Sequence, residues 1–555
     1  MRPFPGTTAA TVLTILGAFG VWTLPPGATT LAPSSWTPRL LPVSGAYHIH
    51  TVLSDGSGTI SQVAAAAARV GLSFVIITDH GDGTHILRPA YHSGVLCIDG
   101  VEVSTTGGHY VALGLAQTPY PLGGEPRDVV ADVMRLGGFG IAAHPDSPKP
   151  ALHWNAWDLP FDGIEWMNAD SERRERTLWQ LATSAMHYPI RPAETLVALF
   201  QRPIETLSRW DTLIAARRVV ALAGADAHAR IGWGGTEREG GVTIARLPSY
   251  EASLAAFSIH AEIARPLTGG AAQDARTILD AIEAGHVYTA LDGLARPALL
   301  SFTARTGTHT ANEGDDLILD GPLALHARVN DPQARLVLFR DGLVVADRTG
   351  GEMSFDAPAT SATFRLEARR ASPAAPEMPW IVSNPIYVRA APRLPPSPRQ
   401  TPPAAETEVL APALWSTEHS PTSIVAVTPG STGVRIDFTL GDGVGRGQHA
   451  AALRAAPPDM PHFDRLVLQG HASRPMRMSV QLRDLTGRRW SRSVYFGPTA
   501  KTFVVPFAEF RPTNDAFPAV PPLTAVRTIL FVIDLTNAEP GAFGTLWLNA
   551  LRLEC

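Results

Sequence analysis

AYHIHTVLSDGSG, residues 46–58, sets two histidines one residue apart at the end of an apolar run and follows them with Asp55 and two glycines. Alternate side chains of an extended strand share a face, so His48 and His50 are expected to point the same way. An H-x-H pair alone is weak evidence for a metal site. Its meaning depends on what other strand ends contribute.

The same texture recurs outward from this stretch, across residues 44–294. Short apolar runs begin or end in polar residues: SFVIITDH (73–80), GVLCIDGVEVS (94–104), HYVALGL (109–115), FGIAAHP (139–145), FDGIEWMN (161–168) and VVALAGADAH (219–228). Between them lie segments with apolar residues at helical spacing, such as TISQVAAAAARVGL (59–72) and EPRDVVADVMRLGG (125–138). Apolar strands followed by helices predict an α/β domain with a parallel sheet, closed or open.

The strand boundaries carry titratable groups: His48, His50 and Asp55; Asp79 and His80; Glu102; His109; His144; Asp226 and His228. Such groups beside buried strands are costly unless paired or bound to a metal. In a barrel of parallel strands all carboxyl ends open onto one face, where residues distant in sequence converge. Nine candidate ligands, this set without Asp79, exceed what one four-coordinate zinc can use. More than one ion is implied, and mixed imidazole and carboxylate donors favour Zn, Mn or Fe over Mg or Ca. The chain has only 2 cysteines, so a metal site must rely on histidine and carboxylates and no disulfide framework is expected.

The remaining chain reads as further domains, as a length of 555 residues requires. Residues 1–43 begin with a run from Thr7 to Leu24 without charge, then Pro25 and Pro26. This resembles an export segment, either a cleaved signal peptide or an N-terminal membrane anchor, and predicts an extracytoplasmic location. Residues 295–390 alternate apolar and polar and predict an Ig-like β-sandwich, with Asp341-Gly342 in a hairpin turn. A Pro-rich linker follows over 391–410. Short alternating strands over 411–555 predict a second sandwich, of jelly-roll or galactose-binding-like type. There Trp415, Trp490, Tyr495, Phe496 and Trp547 are candidates either for core packing or for a platform that stacks on a carbohydrate ligand. The net charge of −5 is spread without blocks, which points away from a nucleic-acid scaffold.

The order H-x-H, Asp-Gly, D-H, Glu, His, H-P, D-x-H over residues 45–290 resembles the PHP (polymerase and histidinol phosphatase) superfamily of metallohydrolases. AIEAGHVYTALDG (281–293) and PWIVSNPIYV (379–388) look closer to its CehA/McbA-like branch, in which a sandwich follows the catalytic domain. The resemblance implies a distorted (βα)7 TIM-like barrel over 44–294, followed here by the two all-β sandwich domains. It implies three metal positions: His48, His50, Glu102 and Asp226 for one ion, Glu102 bridging to a second held by His109 and His144, and Asp55, His80 and His228 for a third. Asp79 would either orient a ligand histidine or cap the following turn. Asn168 resembles a polar position near the site in relatives.

The implied activity is a metal-dependent phosphoesterase that uses metal-activated hydroxide on a small-molecule or polymer-linked phosphoester. The same hydroxide could attack a carbamate, ester or amide. A third reading makes the chain a carbohydrate- or surface-binding protein whose barrel is not catalytic.

Overall fold

In the computed structural model the described residues are 23–233, 242–373, 375–390, 407–409, 415–430, 433–443, 447–514 and 516–555. Most of the uncharged N-terminal run and nearly all of the Pro-rich linker lie outside them. Among the described residues no helix is long and apolar enough to cross a membrane. The described residues form two compact units, one within Met1–Ala116 and Glu125–Leu394, the other within Gln117–Gly124 and Pro395–Cys555.

In the first unit the strand Leu41–Ile49 pairs in parallel with Phe74–Ile77, which pairs in parallel with Val95–Asp99. All four residues of Phe74–Ile77 are buried, as expected of a strand covered on both faces. The intervening helix Ile60–Arg69 starts at Thr59, whose side chain accepts from the Gln62 backbone N–H in a capping box, and it buries Val63, Ala64, Ala66 and Ala67. A second sheet of five strands runs Val220–Gly224, Gly163–Asn168, Phe139–Ala142, Gly108–Leu113 and Val101–Thr105. Tyr47, Phe74, Ile76, Ile98, Val111, Ile141, Leu222 and Ile259 belong to one core contributed by both sheets.

This arrangement corrects the expected (βα)7 TIM-like barrel. The strands divide between two sheets, and among the described residues strand outnumbers helix, 41% against 16%. Several neighbours run antiparallel: Gly108–Leu113 with both Val101–Thr105 and Phe139–Ala142, and Ser258–Ile263 with Leu41–Ile49. For the first of these pairs the local reason is loop length. Only two residues separate Thr105 from Gly108, whereas a parallel pair needs a crossover of about a dozen or more. Outside the named strands, single bridges at Ile49–Ala227 and His80–Glu102 mark where strand ends meet. Ligand candidates flank these bridges.

The first sheet continues past residue 294. Val287–Ala290 pairs with Ile381–Ser383, so strands of the 295–390 segment extend the sheet that carries His48. Arg335–Arg340 and Leu343–Thr349 form the expected hairpin, with Asp341 at φ 49° and Gly342 at φ 79°. Arg365 is buried there between the carboxylates of Asp211 and Glu367, at 2.6 and 2.8 Å.

The second unit contains two six-stranded sheets with antiparallel pairing, a β-sandwich. Trp490 and Phe496 are fully buried in its core beside Phe531. They cannot belong to a carbohydrate platform. Trp415 packs against the same core, which leaves Tyr495 and Trp547 partly exposed.

Candidate metal centre

The Leu41–Ile49 strand does not deliver its two histidines by simple alternation. His48 adopts φ 65° and the pairing register shifts between Tyr47 and Ile49, a bulge that re-aims the side chain. The His48 and His50 rings lie 5.1 Å apart between centroids, while Ile49 between them is buried in the core region. His144 and Asp226 also have left-handed backbone, at φ 28° and 45°. Each such residue costs about 1–3 kcal/mol, and strain of this kind concentrates at functional sites.

All nine predicted ligands come together. Glu102 is 1% exposed and lies at the centre of five imidazoles. Its Oε2 is 3.2 Å from His48 Nε2, from His50 Nε2 and from His80 Nδ1. Its Oε1 is 2.7 Å from His109 Nδ1 and 2.8 Å from His144 Nε2. Asp226 Oδ1 lies 3.6 Å from His48 Nε2 and 3.3 Å from His50 Nε2. Asp55 Oδ2 lies 3.1 Å from His228 Nε2 and 3.7 Å from His80 Nε2.

These separations are informative. A tetrahedral ion with bonds of about 2.1 Å has ligand-to-ligand edges of about 3.4 Å. The His48, His50, Glu102 and Asp226 contacts, 3.2 to 3.6 Å, match that edge. His48 Nε2, His50 Nε2, His80 Nδ1 and Glu102 Oε2 are also buried atoms without a hydrogen-bond partner. Buried polar atoms in native proteins are normally satisfied. Four unsatisfied atoms converging on one point fit a cation.

Among the described residues His48, His50 and Asp226 form one metal-sized cluster, without Glu102, and Asp55, His80 and His228 form another together with His50. His109 and His144 both reach Glu102, but as metal-sized clusters His109 groups with His80 and His144 with His48. His80 and His48 therefore sit at shared corners.

Electrostatics follow from burial of opposite charges. Burial raises the Glu102 carboxyl, but His48, His109 and His144 outweigh it and hold it well below the carboxylate range. Burial lowers His50, yet Asp226 and Glu102 raise it to about 10. His80 differs, since burial lowers its imidazole below the usual range. A divalent cation replaces imidazole protons, since the ligands must be deprotonated to bind it.

Asp79 and Asn168 are both held by protein groups. Asp79 does not orient an imidazole through a direct contact; its carboxylate accepts from the Thr51 and Ser54 backbone N–H groups, at 2.7 and 3.2 Å, and from both hydroxyls. It holds the loop between His50 and Asp55. Asn168 caps the Ala169–Arg174 helix through Ser171 N–H and donates to Glu165 Oε2 at 2.8 Å. Both polar ends are therefore occupied by protein groups. Sequence reasoning missed Glu165 itself, whose Oε1 lies 2.5 Å from His48 Nδ1. The signal was present: a glutamate inside the buried strand GIEWMN demands a partner.

No family model matches the chain. Among solved structures, a family 11 carbohydrate-binding module from Clostridium thermocellum, in complex with a β-1,3-1,4-mixed-linked tetrasaccharide, is 15% identical, covers 27% of this chain and 95% of its own, and has a TM-score of 0.23. The agarase AgWH50C is 13% identical, covers 25% of this chain and 22% of its own, with a TM-score of 0.19. In sequence, the uncharacterized protein MJ1587 of Methanocaldococcus jannaschii is 31% identical over 137 residues, 22% of this chain and 80% of that protein. On that coverage, the chain belongs to the same family as MJ1587.

Proposed function

We propose that the first unit is a metal-dependent hydrolase of the PHP type, acting on phosphoesters. The observation that supports this most is the convergence of five imidazoles on the buried carboxylate of Glu102, three of them at 3.2 Å, close to the edge of a coordination polyhedron, and two at hydrogen-bond distance. Two or three divalent ions of Zn, Mn or Fe suit the donor set. When bound, such ions make water nucleophilic near neutral pH and neutralise the anionic oxygens of a phosphoryl group.

The chain's own residues supply the frame. Glu102 presents its two oxygens to different histidines and so fixes the spacing of adjacent positions. Tyr250 donates to the His50 carbonyl at 2.7 Å, and Asp79 holds Thr51 and Ser54, so the loop between His50 and Asp55 is restrained from both sides. Asp55, His80 and His228 are partly exposed, which places solvent access on their side of the cluster. An extracytoplasmic location belongs to the same reading and rests on the uncharged run Thr7–Leu24.

The test is metal analysis joined to a substrate screen. Purified protein should retain or take up Zn, Mn or Fe and cleave members of a phosphomonoester and phosphodiester panel. Cleavage confined to carbamates, esters or amides would replace the reaction class while keeping the site. A folded protein without tight metal and without activity after reconstitution would reject both.

A second reading concerns the other unit. Arg435, Trp547 and His471 are cross-strand neighbours on one sheet, and the Trp547 and His471 rings stack at 4.6 Å with 7° between planes. A partly exposed stacked ring suits a sugar face. Glycan binding that disappears in Trp547→Ala would support it, and an empty glycan array would remove it.

A further inference from the structure

Glu165 touches two of the proposed metal ligands that lie far apart in sequence. Its Oε1 is 2.5 Å from His48 Nδ1, and its Oε2 accepts the His144 backbone N–H at 2.7 Å. The same Oε2 accepts from Asn168 Nδ2 at 2.8 Å, which fixes the carboxylate's rotation. Glu165 is 1% exposed. His48 and His144 are two of the three ligands with left-handed backbone.

A glycine makes room for this carboxylate. A Cβ added at Gly224 would lie 2.4 Å from Glu165 Oε1, 2.5 Å from its carboxyl carbon and 2.8 Å from Oε2. No other atom is among its three nearest neighbours. Gly224 pairs with Asn168 at the end of its strand and has no positive φ. Its backbone therefore tolerates alanine, and the space beside it is what Glu165 uses.

We infer that Glu165, seated in the space left by Gly224 and held by Asn168, is a positioning residue that ties together the metal positions of His48 and His144. The inference rests on the metal-centre reading above. Accepting a hydrogen bond from His48 Nδ1–H leaves the Nε2 lone pair free for a cation, the tautomer that metal-binding histidines commonly owe to a carboxylate partner. Accepting from His144 N–H holds the strained backbone that aims the second imidazole. One carboxylate thus sets both ring orientation and the distance between two sites.

Glu165→Gln separates this role from bulk. The glutamine oxygen is best placed toward the two donors, His144 N–H and Asn168 Nδ2. Its NH2 group then faces His48 Nδ1 and stabilises the tautomer that carries a proton on Nε2, so the ligand lone pair is lost. Gly224→Ala reaches the same end by pushing the carboxylate away without touching any proposed ligand.

Full-length wild type, Glu165→Gln and Gly224→Ala would be stripped and titrated with Zn(II) or Mn(II) against a chromogenic chelator, with bound metal counted by mass spectrometry. Both variants should bind at least one ion fewer, or bind about 10–100-fold more weakly, as loss of such a partner usually causes. Metal is counted per folded molecule, on samples whose circular dichroism matches wild type, because a purely structural role would lower stability and leave that ratio unchanged. Wild-type stoichiometry and affinity in both variants would overturn the inference while leaving the metal centre intact. No uptake by wild type would instead reject the metal centre and the inference together.

Discussion

His50 Nε2 and Asp226 Oδ1 stand 3.3 Å apart although they follow strands in different sheets. The backbone brings them there: Ala227 N–H donates to the His48 carbonyl at 3.2 Å, and His50 N–H donates to the Ala227 carbonyl at 3.1 Å. The edge contact between the sheets and the cluster of histidines and carboxylates are one structure. Whatever disturbs the cluster should loosen this seam.

Glu102→Gln should have the largest effect of any single ligand change. The amide offers one acceptor where the carboxylate serves five imidazoles. Hydrolysis should fall by more than about 100-fold, beyond the usual loss for an outer partner, and bound metal should drop by more than one equivalent. Elemental analysis with steady-state rates checks both.

Chelation should lower the melting temperature of wild type, and metal should restore it, because a ligand that binds only the folded chain stabilises it. The shift should disappear in Glu102→Gln. Scanning fluorimetry with and without chelator reads this directly.

Asp79→Ala should weaken metal binding without removing a ligand. Four donors from Thr51 and Ser54 lose their acceptor, a cost of about 1–3 kcal/mol that loosens the loop leading to Asp55. Chelator competition should show the change.

The buried His260 predicts an acid-sensitive step away from the metals. Its ring stacks on Tyr288 at 4.6 Å, and burial lowers its pKa from 6.5 to about 4. Protonation between those values favours the unfolded chain, so this contribution is present above pH 6.5 and is lost as pH falls toward 4. A shift of that size is worth about 3 kcal/mol. His260→Phe keeps a ring on Tyr288 and should flatten that part of the pH profile, measured by denaturant melts of metal-free protein.

Trp490→Ala should destabilise the second unit by about 3–5 kcal/mol, the usual cost of emptying a core site of this size. Metal content should not change. A soluble, stable variant that had lost only glycan binding would contradict its core placement.

The nine ligand candidates were readable because histidines and carboxylates at the ends of buried strands are too costly to be incidental. The Asp341-Gly342 hairpin was readable because few residues accept two successive left-handed conformations. The division into two sheets was not, since apolar runs report burial and say little about strand direction. Partner choice was equally hidden. Nothing in the run GIEWMN tells that Glu165 reaches His48 and His144, or that Asn168 turns back to hold it. A side chain's chemistry is local and can be read along the chain. Which groups it meets depends on long-range pairing, and here the bulge at His48 and the room beside Gly224 settle that within a few tenths of an ångström.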